Sequence, residues 1–292
     1  MLITKLQGGL GNQLFQYAAG RKLSILHQTT IKLDLSWFEQ YSSQRYSLGA
    51  FNILEAFATK EEIAAIKGTP KRGMNRIAFL LEQKLKPYYR RSVFAEPHLR
   101  PYDSNIERTP SDLYLEGYWQ SEKYFLSIQD TIRREFTLKY EPDYENRQLA
   151  RTITHGDSLS VHIRRGDYVT GHPVGVHPPC GPDYYARCVN FISKRVSNPH
   201  FFVFSDDKAW AKDNIRFQHE TTYVTHNGPD RNYEDLRLMS LCKHNIIANS
   251  SFSWWAAWLN ANSNKIVLTP SQWFSDLSLD TRNLLPPGWI RL

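Results

Sequence analysis

Short apolar runs alternate with longer segments of helical period through the second half of this 292-residue chain, and that alternation leaves few folds open. Runs at Leu159 to Arg164, Phe201 to Ser205, Thr222 to Thr225, Asn245 to Asn249 and Lys265 to Thr269 read as strands. Between them, Asp183 to Val196, Asp207 to Ile215, Asn232 to His244 and Ser253 to Asn262 carry helical patterns. Parallel strands need long crossovers, so this series specifies a parallel sheet with helices on its faces. Ligands of such sheets bind outside the carboxyl ends of the strands, where the chemically distinctive residues of this half fall. The first half starts alike, with a strand at Leu2 to Leu6, a glycine loop, a helix from Gln13 to about Leu26, and a strand at Thr30 to Leu35. Helices are expected at Lys60 to Ile66 and Arg76 to Leu85, among Pro- and Tyr-rich turns. A boundary in the polar stretch Glu141 to Asp157 gives two α/β domains, residues 1–150 and 151–292.

The composition is that of globular material, with 41% hydrophobic and 22% charged residues. A net charge of +7 favours a polyanionic partner, whether nucleic acid, nucleotide or acidic membrane surface. One stretch, from Lys67 through Lys71, Arg72, Arg76, Lys84, Lys86, Arg90 and Arg91 to Arg100, is denser in cations. It reads either as a solvated helix face or as peripheral contact with an anionic lipid surface or acceptor. Three widely spaced cysteines, Cys180, Cys188 and Cys242, suggest neither a zinc site nor a disulfide framework. The amino terminus runs directly into the glycine loop without a signal peptide, and no apolar run reaches spanning length. A cytoplasmic location is expected, with contact at most to the inner face of a membrane.

Four motifs carry chemistry. In Val161-His162-Ile163-Arg164-Arg165-Gly166-Asp167-Tyr168, two guanidiniums stand where a strand gives way to a loop. Such a planar fork of donors matches two anionic oxygens at once. Gly8-Gly9-Leu10-Gly11-Asn12-Gln13 joins the first strand to the first helix, where a phosphate cradle belongs, although it matches neither standard nucleotide fingerprint. A tight turn with Asn12 as helix cap is the competing reading. Ser205-Asp206-Asp207 opens a helix, and its carboxylates could cap that helix, bind a metal, or accept from a nucleobase or ribose. One cap and one base or ribose contact is the preferred division, without metal, because no Asp-x-Asp occurs in the chain. In Asn249-Ser250-Ser251-Phe252-Ser253-Trp254-Trp255, hydroxyls at a helix start serve equally as caps and phosphate donors, and an aromatic could stack on a ring.

Together these motifs closely resemble the α-1,2-fucosyltransferases of glycosyltransferase family eleven, above all the bacterial ones, over nearly the whole chain. The resemblance implies a GT-B architecture, two Rossmann-like domains facing across a cleft, with acceptor on the amino-terminal side and donor on the carboxyl-terminal side. It implies GDP-fucose as co-substrate, no metal or other cofactor, and a galactose-terminated oligosaccharide or lipid-linked glycan as acceptor, with no nucleic acid partner. By analogy Arg164 grips the β-phosphate, joined by Arg165 and faced by Gly9, Gly11 and Asn12. His162 and one of Asp206 and Asp207 address guanosine, while Ser250, Ser251 and Phe252 complete the pyrophosphate and ribose contacts. Transfer from a β-linked donor to an α-linked product inverts the anomeric carbon, and Arg164 would absorb charge on the departing GDP. Asp167 is the first candidate for the base, with His177 and Asp183 behind it, and orientation of the arginines is its equal alternative. A fucosyltransferase of another linkage, or one using a related GDP-sugar, would carry the same motifs. The loops from Trp37 to Ser47 and Tyr88 to Trp119, where an acceptor would dock, carry no readable code.

Overall fold

A computed structural model describes residues 1–41, 44–68, 77, 81, 84–96, 102–170 and 176–292. The chain divides into two compact units, Met1–Lys139 with Asp280–Leu285 and Tyr140–Leu279 with Pro286–Leu292. The junction thus falls at Lys139 rather than at residue 150, because the polar stretch thought to link the units is itself a helix, Tyr144–His155. Asp143 caps it by accepting from Asn146 N–H at 2.9 Å, and the fully buried Asn146 amide ties it to Asn227 at 3.0 Å within the second unit.

The first unit contains β1 (Leu2–Lys5), α1 (Leu10–Leu26), β2 (Ile31–Asp34), α2 (Ser36–Gln40), α3 (Lys60–Lys67), β3 (Val93–Ala95), β4 (Leu113–Glu116) and α4 (Gln129–Glu135). Its parallel sheet has the order β2-β1-β4-β3. Strands β3 and β4 escape sequence reading because they are three and four residues long and lie among Pro- and Tyr-rich turns. The Lys60 to Ile66 helix forms, with Thr59 and Glu62 in a reciprocal capping box. Of the helix expected over 76–85, residues 77, 81, 84 and 85 are helical, and the others lie outside the described residues. So do Lys71, Arg72, Arg76 and Arg100 of the basic stretch, and positions 42–43 and 97–101 of the two expected acceptor loops.

The second unit contains α5 (Tyr144–His155), β5 (Asp157–Ile163), α6 (Gly166–Thr170), α7 (Pro182–Ser193), β6 (Pro199–Ser205), α8 (Lys208–Asn214), β7 (Thr221–Val224), α9 (Asn232–Leu241), β8 (His244–Ile246), α10 (Ser251–Leu259), β9 (Val267–Thr269) and β10 (Ile290–Arg291). All five strands expected here form, and β10 joins them in one parallel sheet of order β10-β9-β8-β5-β6-β7. Leu159, Val161 and Ile163 pack with Phe201, Val203 and Ile246 against Tyr184, Cys188 and Ile192 of α7. Strand order reverses between β5 and β8, so the crevice that opens at a parallel sheet's switch point lies where the residues after Ile163 meet those after Ile246. Among the described residues no helix is long and apolar enough to cross a membrane.

Candidate active site

Arg164 leaves β5 and is held at once by two carboxylates. Its Nη2 lies 2.8 Å from Asp167 Oδ1, one turn along in α6, and its Nη1 lies 3.0 Å from Asp206 Oδ2 at the end of β6. Burial works against the charge of this guanidinium, but Asp206 and Asp167 more than offset it and hold its pKa above the ordinary value. Asp206 also accepts from the Arg165 backbone N–H at 2.9 Å. Gly166 makes that approach feasible, since a Cβ there would sit 2.8 Å from Asp206 Oδ2. The Tyr168 ring lies 5.6 Å from the Arg164 guanidinium carbon, and its hydroxyl donates to the Asn249 carbonyl at 2.8 Å, joining the residues after β5 to those after β8.

The two adjacent guanidiniums have different partners. Arg165 turns to α8, where its guanidinium lies 3.8 Å over the Trp210 ring and its Nε is 3.6 Å from Asp207 Oδ2. Asp207 is the cap of α8, accepting from Trp210 N–H at 3.1 Å. Of the two carboxylates, Asp207 is therefore the helix cap, and Asp206 is ion-paired with Arg164.

His162 is 5% exposed, and its Nδ1 finds no hydrogen-bond partner among the described residues. Burial, reinforced by nearby Arg164, pushes its pKa down to about 3, so the ring is neutral at physiological pH. Phe252 lies 5.4 Å from it, centroid to centroid. Ser250 caps α10, accepting from Phe252 N–H at 3.3 Å, and Ser251 is the first helical residue; the helix thus starts two residues before the expected Ser253. Asn249 is fully buried, donating to the Pro178 and Trp273 carbonyls at 2.9 Å each. His177 stacks on Tyr168 at 4.9 Å, while Asp183 lies exposed in the first turn of α7.

In the first unit the glycine loop follows β1. The helix begins at Leu10, three residues before Gln13, and its cap is Gly9 rather than Asn12, because the extended Gly9 backbone offers its carbonyl to the N–H groups of Asn12 and Gln13 at 3.0 and 3.1 Å. Gly8 has φ +74°, and a Cβ on it would meet Asn12 Nδ2 at 2.7 Å. Gly11 is buried in the first turn of α1. Asn12 Oδ1 accepts from Gln120 Nε2 at 2.9 Å.

Compared with known families, residues 1–292 match the profile of glycosyl transferase family 11. The chain belongs to glycosyl transferase family 11. It is 32% identical to an α-1,2-colitosyltransferase of Escherichia coli over 100% of this chain and 99% of that protein. Over 50% of its length it is 30% identical to the human galactoside α-(1,2)-fucosyltransferase 1, of which 43% is covered. Among solved structures it resembles the fucosyltransferase NodZ from Bradyrhizobium, with a TM-score of 0.53 at 16% identity over 87% of this chain and 91% of that one. NodZ α-1,6-fucosyltransferase soaked with GDP-fucose gives a TM-score of 0.50 at the same identity, over 87% of this chain and 90% of that one. The fold is of the GT-B type, each unit built on a parallel Rossmann-like sheet. As a family 11 glycosyltransferase it has fucosyltransferases among both its sequence relatives and its structural neighbours.

Within this family 11 chain, two glutamines in the first turns of α1 do work that the sequence did not reveal. Gln13 is fully buried, donating to the Gly8 and Arg45 carbonyls at 2.8 and 2.7 Å and accepting from Ser47 N–H at 2.8 Å. Gln16, equally buried, accepts from Gln7 N–H at 2.9 Å and donates to the Gly117 carbonyl at 3.1 Å. Their visible signal is an amide at two positions on the largely apolar buried side of α1. Among the described residues, no three His, Cys, Asp or Glu side chains gather as a metal site would require.

Proposed function

We propose that this protein transfers L-fucose from GDP-β-L-fucose to the 2-hydroxyl of a terminal β-galactoside in a cell-surface glycan, with inversion at the anomeric carbon. The observation that carries the proposal is the Arg164 guanidinium, fixed by Asp167 and Asp206 at the switch point of the second sheet. The α-1,2 linkage is supported by the similarity to an α-1,2-colitosyltransferase and to a human galactoside α-(1,2)-fucosyltransferase, and the donor by the GDP-fucose soaked into NodZ.

In the proposed reaction the acceptor oxygen attacks C1 of fucose on the face opposite GDP. As that bond forms, the bond from C1 to the β-phosphate oxygen breaks and its electron pair stays on the diphosphate. Arg164 meets the growing charge with donors already in position, which spares reorganisation at the moment of reaction. Asp206 keeps Arg164 aimed. Asp167 holds the guanidinium with one oxygen and receives the acceptor's proton on the other. Arg165, Asp207, Ser250, Ser251, Phe252 and His162 are assigned to the donor, with the neutral His162 ring offering Nδ1 to the nucleoside. Gly9, Gly11 and Asn12 are assigned to the diphosphate. No metal is assigned a role, since the guanidinium supplies the cation that leaving-group departure needs. The basic stretch would bring the enzyme to the inner face of a membrane carrying a lipid-linked acceptor.

A second reading has a specific observation behind it: the chain is similar over its full length to a colitosyltransferase, so a GDP-sugar related to GDP-fucose could be the donor. One experiment separates the two. The purified chain is incubated with a small panel of galactosides and either GDP-fucose or GDP-colitose, with and without EDTA, and the product linkage is read by NMR. An α-1,2-fucosylated galactoside formed equally in EDTA is expected. Transfer from GDP-colitose alone, a different linkage, or loss of turnover in EDTA would overturn the corresponding part of the proposal.

A further inference from the structure

The order of the first sheet reverses between β1 and β4, so its crevice too lies at two carboxyl ends. The glycine loop leaves β1 there, and Gly117-Tyr118-Trp119-Gln120 leaves β4. Trp119 is 1% exposed and has φ +56°, one of two non-glycine residues in the left-handed region among those described. That conformation costs a side-chain-bearing residue on the order of 1 kcal/mol or more, and something must hold it. The Glu96 carboxylate accepts from the backbone N–H groups of both Tyr118 and Trp119, at 2.6 and 3.0 Å. Gly117 admits it, since a Cβ there would come within 2.4 Å of Glu96 Cβ. The Trp119 ring is stacked on Phe94 at 5.6 Å. The result of this turn is to aim Gln120 at Asn12.

We propose that Gln120 is a positioning residue that sets which end of the Asn12 amide the glycine loop presents, and that Glu96 keeps Gln120 in place through the left-handed turn. A primary amide accepts at one end and donates at the other. With Oδ1 taken by Gln120, the end left over is Nδ2, which donates to none of the described residues. It lies against Gly8, where a Cβ would intrude. A diphosphate oxygen can use a donor and is repelled by a carbonyl, so this pairing pre-sets Asn12 for an anion. Gln120 touches no reacting atom and acts through Asn12. The inference rests on the proposed contact of Asn12 with the donor's diphosphate.

The test compares the full chain with Gln120→Ala, Gln120→Glu and Asn12→Ala, and with both double variants, by titration calorimetry with GDP and by the donor KM. Alanine frees the amide to rotate and should weaken GDP about 3- to 10-fold. Glutamate, nearly isosteric but accepting only, draws Nδ2 to itself and turns Oδ1 outward, so the loss should reach about 30- to 100-fold. In the Asn12→Ala background both changes should become silent, which a general structural role of Gln120 would not produce. Because Gln120 is half-buried and glutamate matches its shape, Gln120→Glu keeps the test valid if the alanine variant unfolds. Equal losses for the two substitutions, or losses that persist without the Asn12 amide, would overturn the inference alone. Wild-type chain that fails to bind GDP, or Asn12→Ala that binds it normally, would overturn the reading of Asn12 and the inference with it.

Discussion

Replacing Arg164 by alanine should have two consequences of different size. The first concerns stability. The guanidinium is the shared counter-ion of Asp167 and Asp206, at 2.8 and 3.0 Å, and its removal leaves two carboxylates beside each other. Breaking a fully buried pair costs about 3–5 kcal/mol, whereas exposed pairs are worth up to about 1 kcal/mol. Here the arginine side chain retains 29% exposure and Asp167 55%, so solvent screens much of the repulsion. A loss of about 1–2 kcal/mol follows, a fall in melting midpoint of roughly 2–8 °C for a chain of this size. The second consequence concerns the barrier. Removing one pre-aimed donor from a developing oxyanion costs about 2.7–4 kcal/mol, a hundred- to thousandfold in rate. Measuring kcat at saturating donor and acceptor, well below the lowered midpoint, separates the two. Arg164→Lys retains the charge but not the planar fork that reaches both carboxylates, and should recover about tenfold of the lost rate. If Arg164→Ala turns over within about threefold of wild type while its midpoint falls as expected, the guanidinium is a structural ion-pair partner and its assigned role is refuted.

Two further outcomes follow from buried groups. The His162 pKa lies near 3, below the ordinary value of 6.5, so its contribution to stability is complete above about pH 6.5 and is lost as the pH falls towards 3. Urea titrations at pH 7.5, 6 and 5 should therefore show wild type losing up to about 1.4 kcal/mol more per pH unit than His162→Gln, and parallel losses would contradict the burial argument. In α1, a Cβ on Gly20 would lie 2.1 Å from Oγ1 of the fully buried Thr4 and 3.1 Å from Ile31 Cδ1. Overpacking of about 1–3 kcal/mol should outweigh the gain of up to about 1 kcal/mol in helix propensity. Gly20→Ala should unfold at lower urea, and a stabilised variant would mean that α1 can move off β1.

The second half of the chain was legible where strands such as Pro199–Ser205 are apolar runs and crossovers such as Pro182–Ser193 are amphipathic segments, whereas the two-residue strand Ile290–Arg291 carried no such signal. Local pattern and sheet topology thus carry the same information. The expected strand ends differed from the observed ones by only a few residues, as Leu159 to Arg164 against Asp157–Ile163 illustrates. The first half was less legible where its sheet is made of short strands such as Val93–Ala95, whose burial comes from neighbours distant in sequence. The same limit explains α5, in which an amphipathic helix with few apolar residues resembles a linker until Asn146 is seen bonded to Asn227.

Sequence alone determined the parallel α/β architecture, the family resemblance and the location of the candidate chemistry at strand ends, because these depend on periodicity and on contiguous motifs. Only the tertiary structure decided the task of each charged group. It sent Arg164 to Asp167 and Asp206 and Arg165 to Trp210, assigned the helix cap to Asp207, and joined Asn12 to Gln120. The physical reason is that a hydrogen bond or ion pair is set by the direction of a side chain in space, and that direction depends on which residues from elsewhere in the chain have been folded beside it.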